Sequence, residues 1–568
     1  MKFRSLFCLF IPVLFLAGCY NDNQNIERGL IAENGMVVCA HPEAARIGKE
    51  ILEMGGNAMD AAVAVEYALS VCYPAAGNIG GGGFWVVRTA KGEVSTLDYR
   101  EKAPAKAHRD MYLDEEGNVI EDASTFTILS SGVPGTVAGT AEAHKKYGSM
   151  KWEDVLKPAI KLAAEGFPLT RDQARYLESL KKVLLERNTW VPPFVNEAGW
   201  KAGDRLVQTD LANTLKRIAS QGAREFYEGE TAEMIVKQME ALDGLISAED
   251  LKNYRAFWRS PIKGKYKSYT CYSMPPPSSG GIALIQLLGI VENFPMDKFD
   301  WHSAGAMHLM IEAERQVYAD RSKWLGDSDF FHVPMKDLLE NDYLDSLAGT
   351  IDSHRASRSS DILPGEFAGD ESEETTHYSI VDKWGNAVSV TTTLNGGFGN
   401  KVVVEGAGFF LNNEMDDFSI KPGYANIYGL IGGEANAIEP GKRMLSCMTP
   451  TIVCRNDAEG EGLFMVVGSP GGSTIITSVF QTILNVVDYG MGMQEAVTAC
   501  RFHHQWLPEY TSMERDCADS ALIGKLEAMG HVIKPRGSIG RVDAILVLKD
   551  GRLEAGADPR GDDAAAGY

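Results

Sequence analysis

Two threonines that face each other across a predicted β-hairpin are the first candidates for chemistry in this sequence. Two runs rich in Thr, Val, Ile and Tyr flank the turn-forming sequence Asp-Lys-Trp-Gly-Asn at 382–386. The register that pairs Val381 with Ala387 sets the rest of the ladder. In that register Thr375 faces Thr393, and two hydroxyl groups meet at the open end of the hairpin. The alternative is a threonine-rich edge strand, because threonine favours strands wherever it occurs.

Two further features could bind negative charge. Gly471 and Gly472 stand at the entrance of a helix predicted at about 475–487. Their backbone N–H groups would point at one spot and form an anion or oxyanion site, although a plain turn and helix cap is the alternative. Arg100 ends a strand predicted over 94–99, and its planar guanidinium suits a carboxylate, with an ordinary surface charge as the alternative.

Other clusters do not fit the chemistry that they suggest. The glycines of 77–83 precede a strand and lack a following Lys-Ser/Thr pair, so they indicate close backbone packing rather than a phosphate loop. His503 and His504 would point to opposite sides of a strand without acidic or cysteine partners nearby, which favours packing over a metal site. The cysteines beyond the N-terminal segment are scattered and odd in number, and they predict neither a disulfide framework nor a zinc site: Cys39, Cys72, Cys271, Cys447, Cys454, Cys500 and Cys517.

The elements that must position these residues are predicted from caps, breakers and hydrophobic runs. A helix over 42–54 ends at a Gly-Gly pair, and Asn57 can cap the next helix, 58–71. The segment 150–296 is predicted to be mostly helical. The remaining predictions are a rigid turn at 273–281 leading into an apolar helix, an amphipathic helix over 301–324, and a polar, charged loop over 352–374.

The N-terminal segment bears on the location of the protein, and the net charge bears on its binding partners. The chain has 568 residues and a net charge of −22, which argues against nucleic acid as a partner. Lys2 and Arg4 precede a short apolar run that ends in Leu-Ala-Gly-Cys at Cys19. This sequence resembles a bacterial lipobox, so we expect a signal peptide, 1–18, lipidation at Cys19 and a polar tether, 20–33. An ordinary signal peptide is the alternative.

Four motifs in this order resemble the γ-glutamyltranspeptidase (γ-glutamyltransferase) family: Pro-Pro-Pro-Ser-Ser-Gly-Gly at 275–281, Thr-Thr-His-Tyr-Ser at 375–379, Asn-Asn-Glu-Met-Asp-Asp-Phe at 412–418, and Ser-Pro-Gly-Gly at 469–472. The resemblance extends from about residue 30 to Tyr568. It implies an α+β fold, the four-layer αββα sandwich of the N-terminal-nucleophile hydrolases.

Proteins of that family are made as one inactive chain that cuts itself. The resemblance implies a cut between Glu374 and Thr375. It would produce a large subunit, 19–374, and a small catalytic subunit, 375–568, which stay intertwined as a heterodimer.

The resemblance also implies the mechanism. Cleavage would free the α-amine of Thr375, whose unperturbed pKa is about 7.7–8.0, to take the proton of its own hydroxyl. Thr393 would hold that hydroxyl while it attacks a γ-glutamyl carbonyl. Gly471 and Gly472 would stabilise the oxyanion. The acyl-enzyme would then pass to water or to the amine of an amino acid or dipeptide, with no cofactor and no metal.

Substrate recognition is expected from residues that match the family's glutamyl pocket. Arg100 would grip the α-carboxylate, Ser446 and Cys447 would contact the same carboxylate, and Asn395, Glu414 and Asp417 would hold the α-ammonium. The sequence departs from the commonest pattern at Cys447, because the family usually has serine there and a thiol is a weaker donor.

The segment 421–440 resembles the lid of the family's glutamyl pocket, with Tyr428 as its gate. The lid favours glutathione and other γ-glutamyl compounds as substrates. Cephalosporin acylases, the first alternative, share the fold and the threonine but lack this lid and take substrates without an α-amine. A lipid-anchored binding protein that has lost catalysis is the second alternative. The expected location is the periplasm or the cell envelope, with the protein anchored at Cys19.

Overall fold

The computed structural model describes residues 28–362, 375–421, 423–458 and 460–568; Cys19 and Glu374 lie outside these ranges. The strands are β1 (Ile31–Ala32), β2 (Met36–Cys39), β3 (Gly82–Arg88), β4 (Val94–Asp98), β5 (Phe167–Pro168), β6 (Arg205–Leu206), β7 (Phe257–Arg259), β8 (Ile262–Tyr266), β9 (Tyr269–Ser273), β10 (Thr376–Val381), β11 (Ala387–Thr393), β12 (Thr451–Asp457), β13 (Gly460–Gly468), β14 (Phe502–His503), β15 (Thr511–Glu514), β16 (Ile533–Arg536), β17 (Asp543–Val547), β18 (Leu553–Gly556) and β19 (Ala564–Gly567).

The helices are α1 (Pro42–Glu53), α2 (Ala58–Cys72), α3 (Thr136–Tyr147), α4 (Trp152–Glu165), α5 (Arg171–Arg187), α6 (Thr209–Gln221), α7 (Arg224–Glu228), α8 (Glu230–Ala241), α9 (Ala248–Asn253), α10 (Gly280–Val291), α11 (Ala304–Trp324), α12 (Met335–Leu338), α13 (Asn341–Gly349), α14 (Ile475–Val487), α15 (Met493–Thr498) and α16 (Ser520–Ala528). Among the described residues, no helix is both long enough and apolar enough to cross a bilayer.

Two seven-stranded sheets form the centre of the described structure. Sheet I has the order β19-β2-β10-β11-β3-β4-β7, and sheet II has the order β1-β18-β17-β13-β12-β9-β8. Neighbouring strands in both sheets are antiparallel. Two small sheets, β14-β15-β16 and β5-β6, complete the described strands.

The sheets pack face to face and are covered on both outer faces by helices. Met36, Val86 and Ile452 belong to the apolar layer between the sheets. A second cluster joins sheet I to helices that include α1, α2, α4 and α6, and a third joins sheet II to α10, α11 and α14. Successive side chains of a strand point to opposite faces, so strands covered on both faces are buried throughout, as β10 and β11 are. These layers confirm the predicted αββα sandwich.

The first two helices form where their capping residues predict. Pro42 occupies the first turn of α1, and Gly55, with φ of +94°, follows its end. The side-chain oxygen of Asn57 accepts hydrogen bonds from the N–H groups of Met59 and Asp60. The Asp60 carboxylate in turn accepts a hydrogen bond from the backbone N–H of Asn57. These contacts satisfy N–H groups that the first turn of α2 would otherwise leave unpaired.

The hairpin of β10 and β11 has the predicted register. Val381 lies opposite Ala387, and the ladder continues to Thr376 opposite Thr392, so Thr375 and Thr393 are the next residues at its open end. The edge-strand alternative is wrong, because β10 also pairs with β2 and β11 with β3. The hairpin therefore lies in the middle of sheet I.

Both sheets contain strands from each side of the predicted cut. In sheet I, β10 and β11 lie between β2 and β3, which come from the other side of residue 374. In sheet II, β12 pairs with β13 on one side and with β9 on the other. Backbone hydrogen bonds therefore join the two halves of the chain in both large sheets, and neither half contains all the strands of sheet I or of sheet II.

The structure corrects two secondary-structure predictions. The segment predicted to be mostly helical also contains β5 to β9, because β7 pairs with β4, β9 pairs with β12, and the remaining strands pair within the segment. Helix α11 is buried on nearly all sides rather than amphipathic, with polar residues such as His308 and Glu314 inside. Its contacts with α10, α13 and α16 bury the face that the sequence pattern assigned to solvent.

A disulfide corrects the prediction for the cysteines. Cys500 and Cys517 are bonded, with their Cα atoms 6.0 Å apart. Cys39, Cys72, Cys271, Cys447 and Cys454 are free and buried, as expected. The two cysteines are 17 positions apart, and their pairing depends on the fold of the segment between them, which the spacing of scattered cysteines does not reveal.

Candidate active site

Thr375 and Thr393 lie at the end of the central hairpin, and both are nearly buried. The Thr393 hydroxyl accepts the N–H of Asn395 at 2.8 Å. The Thr393 carbonyl accepts from the side chain of Asn78 at 2.9 Å. A Cβ on Gly81 would lie 2.0 Å from that carbonyl, so the glycine-rich segment before β3 packs directly against the end of the hairpin. The close backbone packing predicted for these glycines is confirmed.

Gly471 and Gly472 form the turn between β13 and α14, next to Thr375. Their φ angles are +134° and +53°, and L-residues with side chains rarely adopt them. A Cβ on Gly472 would also lie 2.3 Å from the ring of Tyr428. The backbone conformation therefore favours glycine at both positions, and the close approach of Tyr428 leaves no room for a side chain at Gly472.

One small, closed pocket brings together nearly all the predicted site residues. Its volume is about 20 Å³, room for little more than a water molecule. The predicted residues that line it are Thr375, Thr393, Asn395, Gly472, Arg100, Glu414, Asp417, Tyr428, Ser446 and Cys447. Gly471 instead lines a neighbouring cavity of about 320 Å³, which also reaches Thr375. Thr375 thus lies between a closed polar pocket and a larger cavity.

Arg100 is the electrostatic centre of the closed pocket. Its guanidinium contacts the carboxylates of Glu414 and Asp417, and its Nε donates to the Met444 carbonyl at 3.3 Å. Burial raises the pKa of Glu414 and of Asp417, while the charge of Arg100 lowers them. In this ligand-free arrangement the group expected to hold the α-carboxylate is paired with the groups expected to hold the α-ammonium.

That pairing suits a zwitterionic ligand. An α-carboxylate can take the place of the protein carboxylates at Arg100, and an α-ammonium can take the place of Arg100 at Glu414 and Asp417. The amide nitrogen of Asn395 is used on the Asn413 carbonyl, so its side-chain oxygen is the atom that can accept from an ammonium. The pocket therefore offers complementary charge to both groups of an amino acid end.

The motif at 275–281 holds the two residues that follow Leu445. The Ser446 carbonyl accepts the N–H and the hydroxyl of Ser279 at 2.8 and 2.6 Å, and the Ser446 N–H donates to Pro277 at 2.9 Å. Cys447 is a buried free thiol, and burial raises its pKa, so it stays protonated at neutral pH. Its thiol is a weak donor towards a carboxylate in this pocket.

The segment 421–440, which is predicted to be a lid, packs against the pocket. The Tyr428 hydroxyl donates to the Asn395 carbonyl at 2.6 Å. The side chain of Asn426 donates to Asp417 at 2.9 Å, and the side chain of Gln505 donates to the Tyr428 carbonyl at 3.3 Å. The lid therefore holds Asp417 directly, and any movement of the lid changes the environment of that carboxylate.

Sequence reasoning missed several residues of the site. Arg321 lines the pocket from the buried helix α11 and donates to the Ser279 hydroxyl at 3.0 Å. Nothing in the sequence around Arg321 distinguishes it from a surface arginine. Asn78 and Asn426 lie in loops whose Gly/Pro/Asn content predicted turns but not partners. Glu101 directly follows Arg100 in the sequence, and this position was a clearer indication that Glu101 lies near the site.

His503 and His504 are buried and hydrogen-bonded within the fold. His503 Nδ1 is 2.9 Å from the Thr477 hydroxyl, and its Nε2 is 2.8 Å from the side-chain oxygen of Gln505. The backbone N–H of His504 donates to Glu314. The prediction of a packing role for the pair is confirmed.

Comparison with known proteins identifies relatives over almost the whole chain. A family model described as Gamma-glutamyltranspeptidase matches residues 44–568. The glutathione hydrolase proenzyme of Escherichia coli K12 is 48% identical over 552 residues, which span 97% of this chain and 94% of the relative. The proenzyme of the same description from Pseudomonas sp. strain A14 is 47% identical, over 96% of this chain and 95% of the relative.

Acylases and solved structures are also similar. The acylase ACY 1 proenzyme of Pseudomonas sp. strain SE83 is 35% identical over 93% of this chain and 92% of the relative. The crystal structure of a cephalosporin acylase from Bacillus halodurans has a TM-score of 0.81 at 27% identity, and covers 99% of both chains. The structure of Helicobacter pylori γ-glutamyltranspeptidase has a TM-score of 0.57 at 43% identity, over 60% of this chain and 97% of that one.

Proposed function

This chain belongs to the γ-glutamyltranspeptidase family, and from that membership we propose that it is a self-cleaving γ-glutamyltransferase and glutathione hydrolase. One observation carries the proposal. A threonine hydroxyl, a glycine turn and a charge pair suited to an amino acid end line one closed pocket. Glutathione presents such an end, an α-carboxylate and an α-ammonium, three bonds away from its γ-amide carbonyl.

The hairpin supplies the nucleophile. Once the bond before Thr375 is cut, its α-amine takes the hydroxyl proton, and the hydroxyl attacks the γ-carbonyl. Thr393 holds the nucleophile from the opposite strand. The backbone N–H groups of Gly471 and Gly472 stabilise the oxyanion, and one such donor is typically worth about 3–4 kcal/mol in the transition state.

The clamp fixes the donor substrate. Arg100 and Ser446 bind the α-carboxylate, with Cys447 as a weaker contact. Asn395, Glu414 and Asp417 bind the α-ammonium. The γ-amide C–N bond breaks as the acyl-enzyme forms, and the amine leaves with the proton that the Thr375 α-amine took from the hydroxyl. Water or the amine of an amino acid or dipeptide then attacks the acyl-enzyme. The reaction needs no cofactor in this scheme.

An acylase acting on substrates without an α-amine is the second candidate, because acylase proenzymes are among the relatives. The lid argues against it, since Tyr428 and Asn426 enclose the carboxylates that would bind an α-ammonium. Release of the anilide from γ-glutamyl anilide, compared with glutaryl anilide, separates the two activities. Faster turnover of the glutaryl compound would favour the acylase, and turnover of neither would favour a non-catalytic binding protein.

Self-cleavage is the direct test of the mechanism. The purified active protein should run on a denaturing gel as two fragments of roughly 40 and 20 kDa, scaled from the 61.9 kDa of the whole chain. N-terminal sequencing of the smaller fragment should begin at Thr375. A single intact chain with full activity would contradict the whole mechanism, because an amide nitrogen cannot act as the base.

We further propose that the protein is an exported lipoprotein, anchored at Cys19 in the periplasm or cell envelope. The lipobox-like sequence supports this proposal. The Cys500–Cys517 disulfide adds support, because disulfides persist in oxidising compartments. The wild type should partition with membranes, and Cys19→Ser should release it or block its processing. A wholly soluble wild type with an N-terminus downstream of Cys19 would contradict the anchor.

A further inference from the structure

Two buried carboxyl groups lie at the same nitrogen of Arg100. Glu414 contacts Arg100 Nη1, and Glu101 Oε2 is 3.8 Å from that atom. Both side chains are at most 1% exposed. In the described part of the chain, no hydrogen-bond donor reaches either oxygen of Glu101 or Oε2 of Glu414.

The local charges do not balance if every carboxyl group is ionised. Asp417 contacts Arg100 as well, so three carboxyl groups surround one guanidinium. The other titratable and charged groups that face this cluster are Tyr99, Tyr227 and Tyr254 around Glu101, Tyr428 near Glu414 and Asp417, and Asp416, Arg321 and Cys447 near Asp417. The tyrosines are neutral at physiological pH, because burial raises their pKa.

Two carboxylates that share a buried site cannot both ionise without a large penalty. Burial raises the pKa of Glu101 to about 7 and raises that of Glu414 well above its usual range, although Arg100 lowers both. One proton between the pair also supplies the hydrogen bond that the unpartnered oxygens lack. The contacts around Arg100 and the excess of carboxyl groups therefore both indicate that Glu101 and Glu414 together hold one proton.

We propose that Glu101 and Glu414 share one proton in the empty pocket, and that binding of the glutamyl α-ammonium expels this proton into solvent. Glu101 does not line the pocket and acts through Glu414, so it is a positioning residue. The inference rests on the proposed function, because it requires a ligand with an α-ammonium.

The sign of the pH dependence follows from proton exchange. An ammonium favours the ionised pair, so the bound state has the lower pKa, and the proton leaves only where the free pair still holds it. Affinity for a glutamyl ligand should therefore rise with pH until at least about 7, by at most about tenfold per unit, and then level off. The α-amine of Thr375 has a higher ordinary pKa, about 7.7–8.0, and stays protonated in the acid part of this range.

Isothermal titration calorimetry tests the proposal. L-glutamate is titrated into the processed enzyme at about pH 6 in three buffers of different ionisation enthalpy, and the slope gives the protons released per ligand bound. The wild type should release nearly one proton. Glu414→Gln and Glu101→Gln should each release almost none, because neither variant retains two carboxyl groups that compete for ionisation.

Asp320→Asn is the matched control. Asp320 is another carboxyl group whose pKa burial raises, and it bonds to Tyr343 and Gln286 away from the pocket. This variant should release the same proton as the wild type. Isosteric glutamine at 414 and 101 preserves shape, and correct processing at Thr375 verifies the fold of each variant.

The outcomes separate the inference from the function on which it rests. Binding of L-glutamate by the wild type without proton release overturns the shared proton and leaves the proposed function standing. Undiminished release by both glutamine variants also overturns it, because the proton then comes from elsewhere. Absence of L-glutamate binding overturns both the clamp and the inference.

Discussion

The hairpin end and the clamp occupy the same pocket but are held in opposite ways. Around Thr375 and Thr393 the contacts come from uncharged groups, through the sheet ladder and the Asn78 side chain. His377, on the same strand, is held neutral because burial lowers its pKa to about 3. Around Arg100 the contacts are between buried charges. The reacting groups are thus positioned by the backbone, and the recognising groups by charge balance.

This difference teaches which region a ligand can rearrange. Strands paired on both sides resist displacement, so we expect Thr375 to keep its position when a substrate binds. A charge pair such as Arg100 with Glu414 exchanges partners when a ligand brings charges of its own. Mutations in the first region should therefore affect turnover, and mutations in the second should affect binding, ionic balance and stability together.

The largest expected effect is at Thr375. Thr375→Ala should abolish both self-cleavage and anilide release, since the nucleophile is lost, while the melting temperature changes little. Thr376→Val is the matched control, because the Thr376 hydroxyl is buried with no hydrogen-bond partner among the described residues, and its loss should be neutral. A denaturing gel and a thermal melt test both variants. Self-cleavage of the Thr375→Ala variant would contradict the prediction, because it would show that the nucleophile does not lie on the hairpin.

Arg100→Ala should have the next largest effect. Removing one partner of a buried charge pair costs about 2–5 kcal/mol, which lowers kcat/KM by roughly one and a half to nearly four decades. Self-cleavage should survive, because the precursor holds no glutamyl carboxylate. The melting temperature should fall, since Glu414 and Asp417 lose their counter-charge.

Arg100→Lys and Asp417→Ala sharpen that test. Lysine restores charge but not the two parallel donors, so stability should recover more than kcat/KM does. Asp417→Ala should lower kcat/KM in the same way by unpairing the α-ammonium. Cleavage, melting temperature and anilide kinetics are measured on the same preparations. Lost cleavage together with early melting would make these residues structural and the clamp assignment wrong.

A smaller effect is expected for Thr393→Val on the uncharged side. Loss of one neutral hydrogen bond is worth about 0.5–1.5 kcal/mol, so kcat should fall by roughly two- to twelvefold with little change in KM. Steady-state kinetics with γ-glutamyl anilide measure both constants. A change confined to KM would show that Thr393 serves binding and would blur the distinction between the two regions.

The smallest effect is expected for Cys447→Ser on the charged side. A hydroxyl is a stronger donor than a thiol, so the α-carboxylate should gain one hydrogen bond. KM should fall by up to about tenfold, with kcat nearly unchanged. An unchanged KM would mean that Ser446 and the arginine already satisfy the carboxylate. A lower kcat would mean that serine disturbs the buried packing of this segment.

The sequence by itself determined the local elements of this protein and supplied the residues that we propose to react. The caps of α1 and α2, the hairpin register and the glycine turn depend on neighbouring residues, so local chemistry was enough to predict them. The motifs supplied the residues that line the pocket, because the family resemblance carries their identity. The strands of 257–273 were missed; β7 and β9 have partners far away in sequence, although β8 and β9 also pair locally.

Only the tertiary structure decided which residues distant in sequence bond to one another or balance one another's charge. The Cys500–Cys517 bond, the burial of Arg321 and the meeting of Glu101 with Glu414 at one nitrogen all join segments that sequence spacing does not relate. The free energy of a buried charge depends on every charge and donor within a few ångströms, and that neighbourhood exists only after folding. The type of a residue therefore reveals which chemistry it can perform, and its surroundings decide in which ionisation state it performs that chemistry.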